Sequence, residues 1–312
     1  MQGGLNVPPV SLLAQPQYSR YIYGALSCRS VSPSGVVQRL GAGFSIRNFG
    51  KSAMQAPQAI EQLVQSVKQA GALLLDYWPG AGRGADGLQI KEKADGSLIS
   101  KADLESNQII LEALTRLFPN DAILSEEVPS DAAALARSNR IWVVDPLDGT
   151  ASFIHGRDDF SVLVGLAEKG VPTFGIMLFP ALGKLIVTYP DRGVLSNGER
   201  IAVSTSTELL PSRVYIRNFI SSRPELASPM MDSGLALLKV ASGELDGAVI
   251  KMTTHQEWDL AAPAAVLLAA GGMITDQTGA PLRFGRGIID FEYTIVSNGI
   301  IHKQLQHLIA AP

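Results

Sequence analysis

The sequence predicts a layered α/β protein behind an N-terminal leader, and three observations carry that prediction. Amphipathic helical stretches open the region after residue 55, short β-branched and aromatic runs broken by Gly and Pro turns follow, and helix–strand alternation takes over from about Ser206. The expected organisation is a leader over 1–55, an N-terminal α+β half over 56–205 and a C-terminal α/β half over 206–312. Of 312 residues, 46% are hydrophobic and 18% charged, the balance of a globular chain rather than a disordered one.

The leader carries no acid; the first is Glu61, while Arg20, Arg29, Arg39, Arg47 and Lys51 stand among Ser, Gly and Pro. That composition predicts a transit peptide addressed to a mitochondrion or plastid. The alternative is a disordered tail, or a true start at Met54, which would leave the protein cytoplasmic. A lone cysteine, Cys28, excludes an intramolecular disulfide framework and a thiolate metal cluster. A net charge of −3 argues against a surface built to hold a nucleic acid polymer. No apolar run approaches the roughly 20 residues that span a bilayer, so no membrane partner is expected.

Ala59 to Tyr77 reads as a helix, because Ile60, Leu63, Val64, Val67, Ala70 and Leu74 recur at three and four. Gly80 to Gly87 is a turn. Leu104 to Phe118 is a second helix, stopped by Pro119 and Asn120. Ala122 to Leu124 is a short apolar stretch. Ile141 to Val144 reads as a buried strand that ends at Asp145 and Pro146. Strands are expected over Phe160–Ala167, Gly175–Phe179 and Lys184–Thr188, with a hairpin tip at Ser196–Glu199. Later come a helix at Leu235–Ala241, a strand at Gly247–Lys251, a helix at Leu260–Ala270 ended by Gly271-Gly272, a strand at Ile295-Val296 and a closing helix at Ile301–Ile309. No internal repeat is present.

Chemistry concentrates in four places: Lys101-Ala102-Asp103, Ser125-Glu126-Glu127, Asp145-Pro146-Leu147-Asp148-Gly149-Thr150 and Glu257-Trp258-Asp259. Asp145 and Asp148 follow a strand in an apolar context, and two carboxylates so close repel each other unless a cation lies between them. Oxygen donors without Cys or His suit Mg²⁺, Mn²⁺ or Ca²⁺, and Leu147 can add its carbonyl. Gly149 and Thr150 can open a helix whose first N–H groups hold phosphate oxygens. Taken singly, each piece has a plain structural explanation. Asp-x-x-Asp is often a turn, a Glu pair is normally a solvated face, and Asp259 alone reads as a helix N-cap. Their joint occurrence in this order favours chemistry.

These residues resemble the inositol monophosphatase superfamily of lithium-sensitive, magnesium-dependent phosphatases. The Glu-Glu pair, the Asp-Pro-Leu-Asp-Gly-Thr hexapeptide and the distant Trp258-Asp259 stand in the family's order, and the resemblance runs from about Ala59 to Ile309. It implies an α/β/α/β/α sandwich with two or three Mg²⁺ ions held by Glu126, Asp145, the Leu147 carbonyl, Asp148 and Asp259. It further implies that Asp103 and Thr150 activate the attacking water with Glu126 helping to place it, and that the Gly149 and Thr150 N–H groups receive the phosphate. Glu127 becomes a supporting partner, and Lys93 lies near a loop that brings in a further ion. His255, close in sequence to Asp259, is a candidate substrate contact, with a hydrogen-bonded wall residue as the alternative. A homodimer is expected from the resemblance alone.

The expected partner is a small phosphate ester. Leu147, Lys93-Ala94-Asp95-Gly96-Ser97 and Ser221-Ser222-Arg223 lean toward the 3'(2'),5'-bisphosphate nucleotidase branch, which converts adenosine 3',5'-bisphosphate to AMP. Ala236 or its neighbours, however, stand where that branch often carries a Lys. Met252 stands where the inositol branch carries a Glu, while Ala151-Ser152-Phe153 is closer to the inositol pattern. An inositol, other sugar or histidinol phosphatase is the alternative. A non-catalytic cation-binding regulator would not need the Asp103–Thr150 pair, and a kinase would show a G-x-x-x-x-G-K-[ST] loop, which is absent.

Overall fold

The computed structural model describes residues 57–82, 88–93, 96, 98–217, 228–253 and 255–310. The leader with Cys28, residues Ala94, Asp95 and Ser97, and the Ser221-Ser222-Arg223 segment lie outside the described residues. No helix among the described residues is long and apolar enough to cross a membrane.

In chain order the elements are α1 (Pro57–Tyr77), β1 (Lys91–Glu92), β2 (Leu98–Ile99), α2 (Lys101–Leu117), β3 (Ala122–Ser125), α3 (Ala132–Arg137), β4 (Arg140–Asp148), α4 (Thr150–Ile154), β5 (Ser161–Glu168), β6 (Val171–Phe179), β7 (Lys184–Tyr189), β8 (Gly193–Ser196) and β9 (Glu199–Arg200). Then come β10 (Val214–Arg217), α5 (Ser233–Ala241), β11 (Gly247–Lys251), α6 (Glu257–Ala269), β12 (Met273–Asp276), β13 (Tyr293–Ser297) and α7 (His302–Ala310). Among the described residues, β3 to β9 form a seven-stranded sheet in sequence order, and a four-stranded sheet runs β10-β11-β13-β12. Each sheet has one parallel pair, β3 with β4 and β10 with β11, and is otherwise antiparallel.

Alternation of side chains along the strands explains the layering. On β4, Trp142 and Val144 point into a core shared with α1 and α2, whereas Ile141 and Val143 point into a core shared with α5 and α6. On β6, Phe174, Ile176 and Leu178 take the first side, and Met177 and Phe179 the second. The smaller sheet divides the same way. Ala248 and Ile250 face α5 and α6, while Val249 and Ile295 face a third core with Ile301 and Leu305 of the α7 segment. Both sheets are therefore covered on both faces, which is why their strands read as continuous apolar runs. The result is the α/β/α/β/α sandwich that the resemblance implied.

Two boundaries differ from the sequence reading, and both matter for the site. Strand β4 does not end before Asp145; it continues through Asp148. Its pairing with β5 passes from Asp145↔Leu163 to Asp148↔Ser161, so three steps on β4 meet two on β5. In a regular strand, residues three apart face opposite sides. The extra residue of this bulge, at Pro146-Leu147, reverses that and turns Asp145 and Asp148 to the same side. Helix α6 begins at Glu257 rather than Leu260, so Asp259 is not the N-cap but the third residue, where its side chain accepts the Gln256 N–H at 2.6 Å. Strands β10 and β12 and helix α3 had no sequence counterpart. They are only four to six residues long, too short for a periodic signal.

Helix α6 lies against the large sheet at close range. A Cβ on Gly175 would fall 2.5 Å from the Ala262 carbonyl oxygen, and one on Gly165 would fall 2.8 Å from the Ala262 nitrogen. Small residues on both surfaces thus set the depth at which α6 delivers Asp259. Gly175→Ala should cost about 1–3 kcal/mol, the usual range for overpacking. Urea unfolding of the variant measures it, and an unchanged midpoint would contradict this seating.

Candidate active site

The site forms where the end of β4 meets the start of α6. Asp145 and Asp148 are 1% and 6% exposed. One carboxylate oxygen from each of Asp145, Asp148 and Asp259 lies within 4.8 Å of the others. Among the described residues, none of the three is ion-paired to a basic side chain. Their hydrogen bonds hold them in place without neutralising them. Asp145 Oδ1 accepts the Leu147 N–H at 3.0 Å, and Asp148 Oδ2 accepts the Ser161 hydroxyl at 3.0 Å.

Glu126 reaches the same place through sheet register. β3 pairs in parallel with β4, Ser125 opposite Val144, so the residue after Ser125 emerges beside Asp145. Lys93 donates to both glutamates, at 2.6 Å to Glu126 and 2.8 Å to Glu127. The negative field of Glu126 acts on Asp103, Asp145 and Asp259.

The electrostatics follow from burial and like charge. Burial, then Glu126, Asp148 and Asp259, push Asp145 well above the usual carboxylate range. Burial, then Asp232 and Asp259, do the same to Asp148. Asp259 is pushed up to about 7, chiefly by burial. Glu127 also rises to about 7, because burial outweighs its Lys93 partner. A buried, all-oxygen donor set that resists ionisation fits a hard divalent cation, with Leu147 able to add a carbonyl.

Beside the acids lies a second arrangement. Asp103, fully buried in the first turn of α2, accepts the Ser100 N–H at 2.7 Å and the Ser100 hydroxyl at 2.6 Å. Its other oxygen faces the Thr150 hydroxyl at 3.2 Å, and that hydroxyl also lies 3.1 Å from the Leu147 carbonyl. One hydroxyl proton serves one acceptor at a time, so Thr150 can pass between the two. Gly149 has φ 80°, a left-handed turn that a Cβ would strain, and it starts the short helix α4 directly after Asp148.

The structure therefore gathers Asp145, Asp148 and Asp259, with Glu126 alongside and the Asp103–Thr150 pair and Gly149 next to them. His255 is buried, with Nε2 3.1 Å from the Ser233 hydroxyl. Sequence reasoning missed Asp232, the N-cap of α5, whose carboxylate contacts Asp148. It stands alone after Met230-Met231, with no spacing to mark it. Ser106 was also missed; its hydroxyl donates to the Pro146 carbonyl at 2.7 Å and pins the bulge.

Residues 56–311 match the family described as the inositol monophosphatase family. A histidinol-phosphatase from Chlorobaculum parvum is 29% identical over 260 residues, covering 79% of this chain and 94% of the relative. The 3'(2'),5'-bisphosphate nucleotidase CysQ from Escherichia coli O157:H7 is 27% identical over 237 residues, 72% of this chain and 93% of the relative. Among solved structures, an IMPase from Thermotoga maritima superposes with a TM-score of 0.68 at 25% identity, over 81% of this chain and 97% of that one.

The acid cluster makes stability depend on pH in a defined direction. Asp259 moves from an ordinary 3.8 to about 7, and Glu127 from 4.5 to about 7. The folded protein thus holds protons that the unfolded chain has already released. Their contribution to stability is full below about pH 4 and is lost as pH rises through about 7. With chelator present, the thermal midpoint should fall between about pH 5 and pH 8, and adding Mg²⁺ at about pH 8 should restore it. A chelated protein with a flat profile would contradict the arrangement.

Proposed function

The chain belongs to the inositol monophosphatase family and is a phosphoric monoester hydrolase, and on that premise we propose that it frees phosphate from a small soluble monoester with the help of two or three Mg²⁺ ions. The observation that carries this reading is the convergence of Asp145, Asp148 and Asp259 beside the Gly149–Thr150 turn. Bound Mg²⁺ supplies neutralisation of the phosphate, a more acidic water and stabilisation of the leaving oxygen.

The chain's own groups do the rest. Asp145, Asp148, Asp259, Glu126 and the Leu147 carbonyl form the oxygen-donor set. The N–H groups at the start of α4 orient phosphate oxygens without a positive side chain. Thr150 takes up a proton from the attacking water as it passes its own to Asp103, which Ser100 holds in place. Attack is in line, and no covalent nucleophile is required.

For the substrate, the monophosphate of a polyol or amino alcohol is the reading we favour. A second phosphate would need its own cationic partner. Ala236 is fully buried in the core, and Lys239 pairs with Glu244 at 2.6 Å on the surface. Lys93 is already engaged by two glutamates. Similarity to the histidinol-phosphatase over a larger share of the chain than to the nucleotidase leans the same way. Leu147 and the CysQ likeness support the bisphosphate nucleotidase as a second reading. Met252 is buried with its sulfur accepting the Thr294 hydroxyl, so it supplies no acid for a sugar hydroxyl.

Initial rates on inositol 1-phosphate, histidinol phosphate and adenosine 3',5'-bisphosphate, with Mg²⁺ or chelator, test both levels. Cation-dependent release, faster on a monophosphate, is expected; no cation-dependent release from any of them would overturn the reading. Asp145→Asn should lose more than the roughly 10- to 100-fold typical of outer-shell changes. Its circular dichroism spectrum should match that of the parent.

A further inference from the structure

The carboxylates of the site come from separate elements, Asp145 and Asp148 from β4 and Asp259 from the first turn of α6. One ion can be held between them only while those elements keep their spacing. The contacts of Gly165 and Gly175 fix α6 at Ala262, further along the helix than Asp259. The first turn is fixed separately, and the residue that fixes it is Glu257.

Glu257 is 1% exposed, and its carboxylate is enclosed by backbone. It accepts the Gly285 N–H at 2.5 Å and the Arg286 N–H at 3.1 Å, and the Gly287 and Ile288 N–H groups act on it as well. Successive N–H groups converge on one carboxylate because the chain turns left-handed at Gly285 (φ 90°) and again at Gly287 (φ 72°). The Arg286 guanidinium is turned to Asp290, at 3.3 and 3.4 Å.

The loop that makes this cradle rests on the large sheet. Phe284, 4% exposed, donates its N–H to the Gly170 carbonyl, in the turn between β5 and β6, at 3.0 Å. A Cβ on Gly285 would fall 2.6 Å from Ile141 Cδ1 on β4, and one on Gly287 would fall 3.7 Å from Leu124 Cδ1 on β3. Glu257 therefore runs as a strut from the sheet to the stretch of backbone that carries Asp259. The same stretch supplies the Gln256 N–H that sets the rotation of the Asp259 carboxylate. We propose that Glu257 is a positioning residue, whose clasp on the 285–288 loop holds Asp259 at the spacing from Asp145 and Asp148 that a divalent cation requires. It acts through Asp259 and not as a ligand. The proposal rests on the cation-dependent reading above and concerns the same site.

The test is Mn²⁺ binding to the full chain, followed by the electron paramagnetic resonance signal of free Mn²⁺. Glu257→Gln keeps the shape and removes the charge that the N–H groups grip. Gly287→Ala leaves Glu257 in place and disturbs the cradle from the loop side, through the left-handed φ alone. Both should bind Mn²⁺ roughly 10- to 100-fold more weakly, the range typical of groups that orient a ligand from behind. The Mg²⁺ concentration for half-maximal phosphate release should rise by the same factor, while turnover in saturating Mg²⁺ stays within a few-fold of the parent, because a bound ion draws the first turn of α6 back into place. Parental Mn²⁺ affinity in both variants would overturn the proposal, even with a lowered thermal midpoint in chelator, since Glu257 would then serve the fold alone. If Glu257→Gln does not fold, parental affinity in Gly287→Ala overturns it. A parent that binds no Mn²⁺ overturns the cation-dependent reading first; parent binding that Asp145→Asn abolishes and both of these variants retain sinks only the role of Glu257.

Discussion

Like charge held at short range is the constraint around which this molecule is built. Two carboxylates about 4 Å apart repel by about 4 kcal/mol at an effective dielectric near 20, and Asp145, Asp148 and Asp259 each bring a carboxylate oxygen within 4.8 Å of the other two. A domain of ordinary stability has only about 5–15 kcal/mol in total. Holding all three ionised without a counter-charge is therefore costly for the fold. Either protons or cations must enter, and the raised proton affinities of these groups express that need directly.

The surroundings prevent the simplest escape, in which the acids splay apart. The bulge at Pro146-Leu147 turns both β4 carboxylates the same way, and Ser106 fixes its backbone through the Pro146 carbonyl. Helix α6 cannot back away, because Gly165 and Gly175 let it sink onto the sheet and Ala262 fills the space. Its first turn is held from behind as well. Glu257, 1% exposed, accepts the Gly285 N–H at 2.5 Å and the Arg286 N–H at 3.1 Å, tying a distant loop to the residue two before Asp259. The Ser106–Pro146 and Gly285–Glu257 hydrogen bonds are buried, where an unmade hydrogen bond costs most. Rigidity around Asp145, Asp148 and Asp259 thus comes from packing and backbone hydrogen bonds, while opposing charge enters only at the periphery, where Lys93 joins Glu126 and Glu127.

This explains what was legible in the sequence. The hexapeptide is local, so Asp145, Asp148, Gly149 and Thr150 announce themselves together, and the long apolar strands identify sheets covered on both faces. Asp259 is readable only because Trp258-Asp259 heads an apolar helix. The bulge was not readable, since nothing in Asp-Pro-Leu-Asp states that β4 continues through it; only its pairing with β5 does. The closeness of Asp232 depends on the Arg157–Asp159 clamp, a contact across more than seventy positions, for which no spacing rule exists. His255, close in sequence to Asp259, is buried, and its Nε2 lies 3.1 Å from the Ser233 hydroxyl, a contact that no spacing in the sequence announces.

Reaction and selectivity rest on different parts of the chain. The donors and the Asp103–Thr150 pair come from α2, the residue after β3, β4, the start of α4 and the first turn of α6. Asp232, Ala236 and Met252 lie on the other sheet's side, Asp232 as the N-cap of α5, Ala236 within α5 and Met252 directly after β11. Ala236 and Met252 are buried and apolar here, so they shape the wall without offering charge. Asp232 differs from them in that its carboxylate lies against Asp148. Because its backbone is set by the segment following α4, any change in how α5 meets that segment alters the field at Asp148 without touching the hexapeptide.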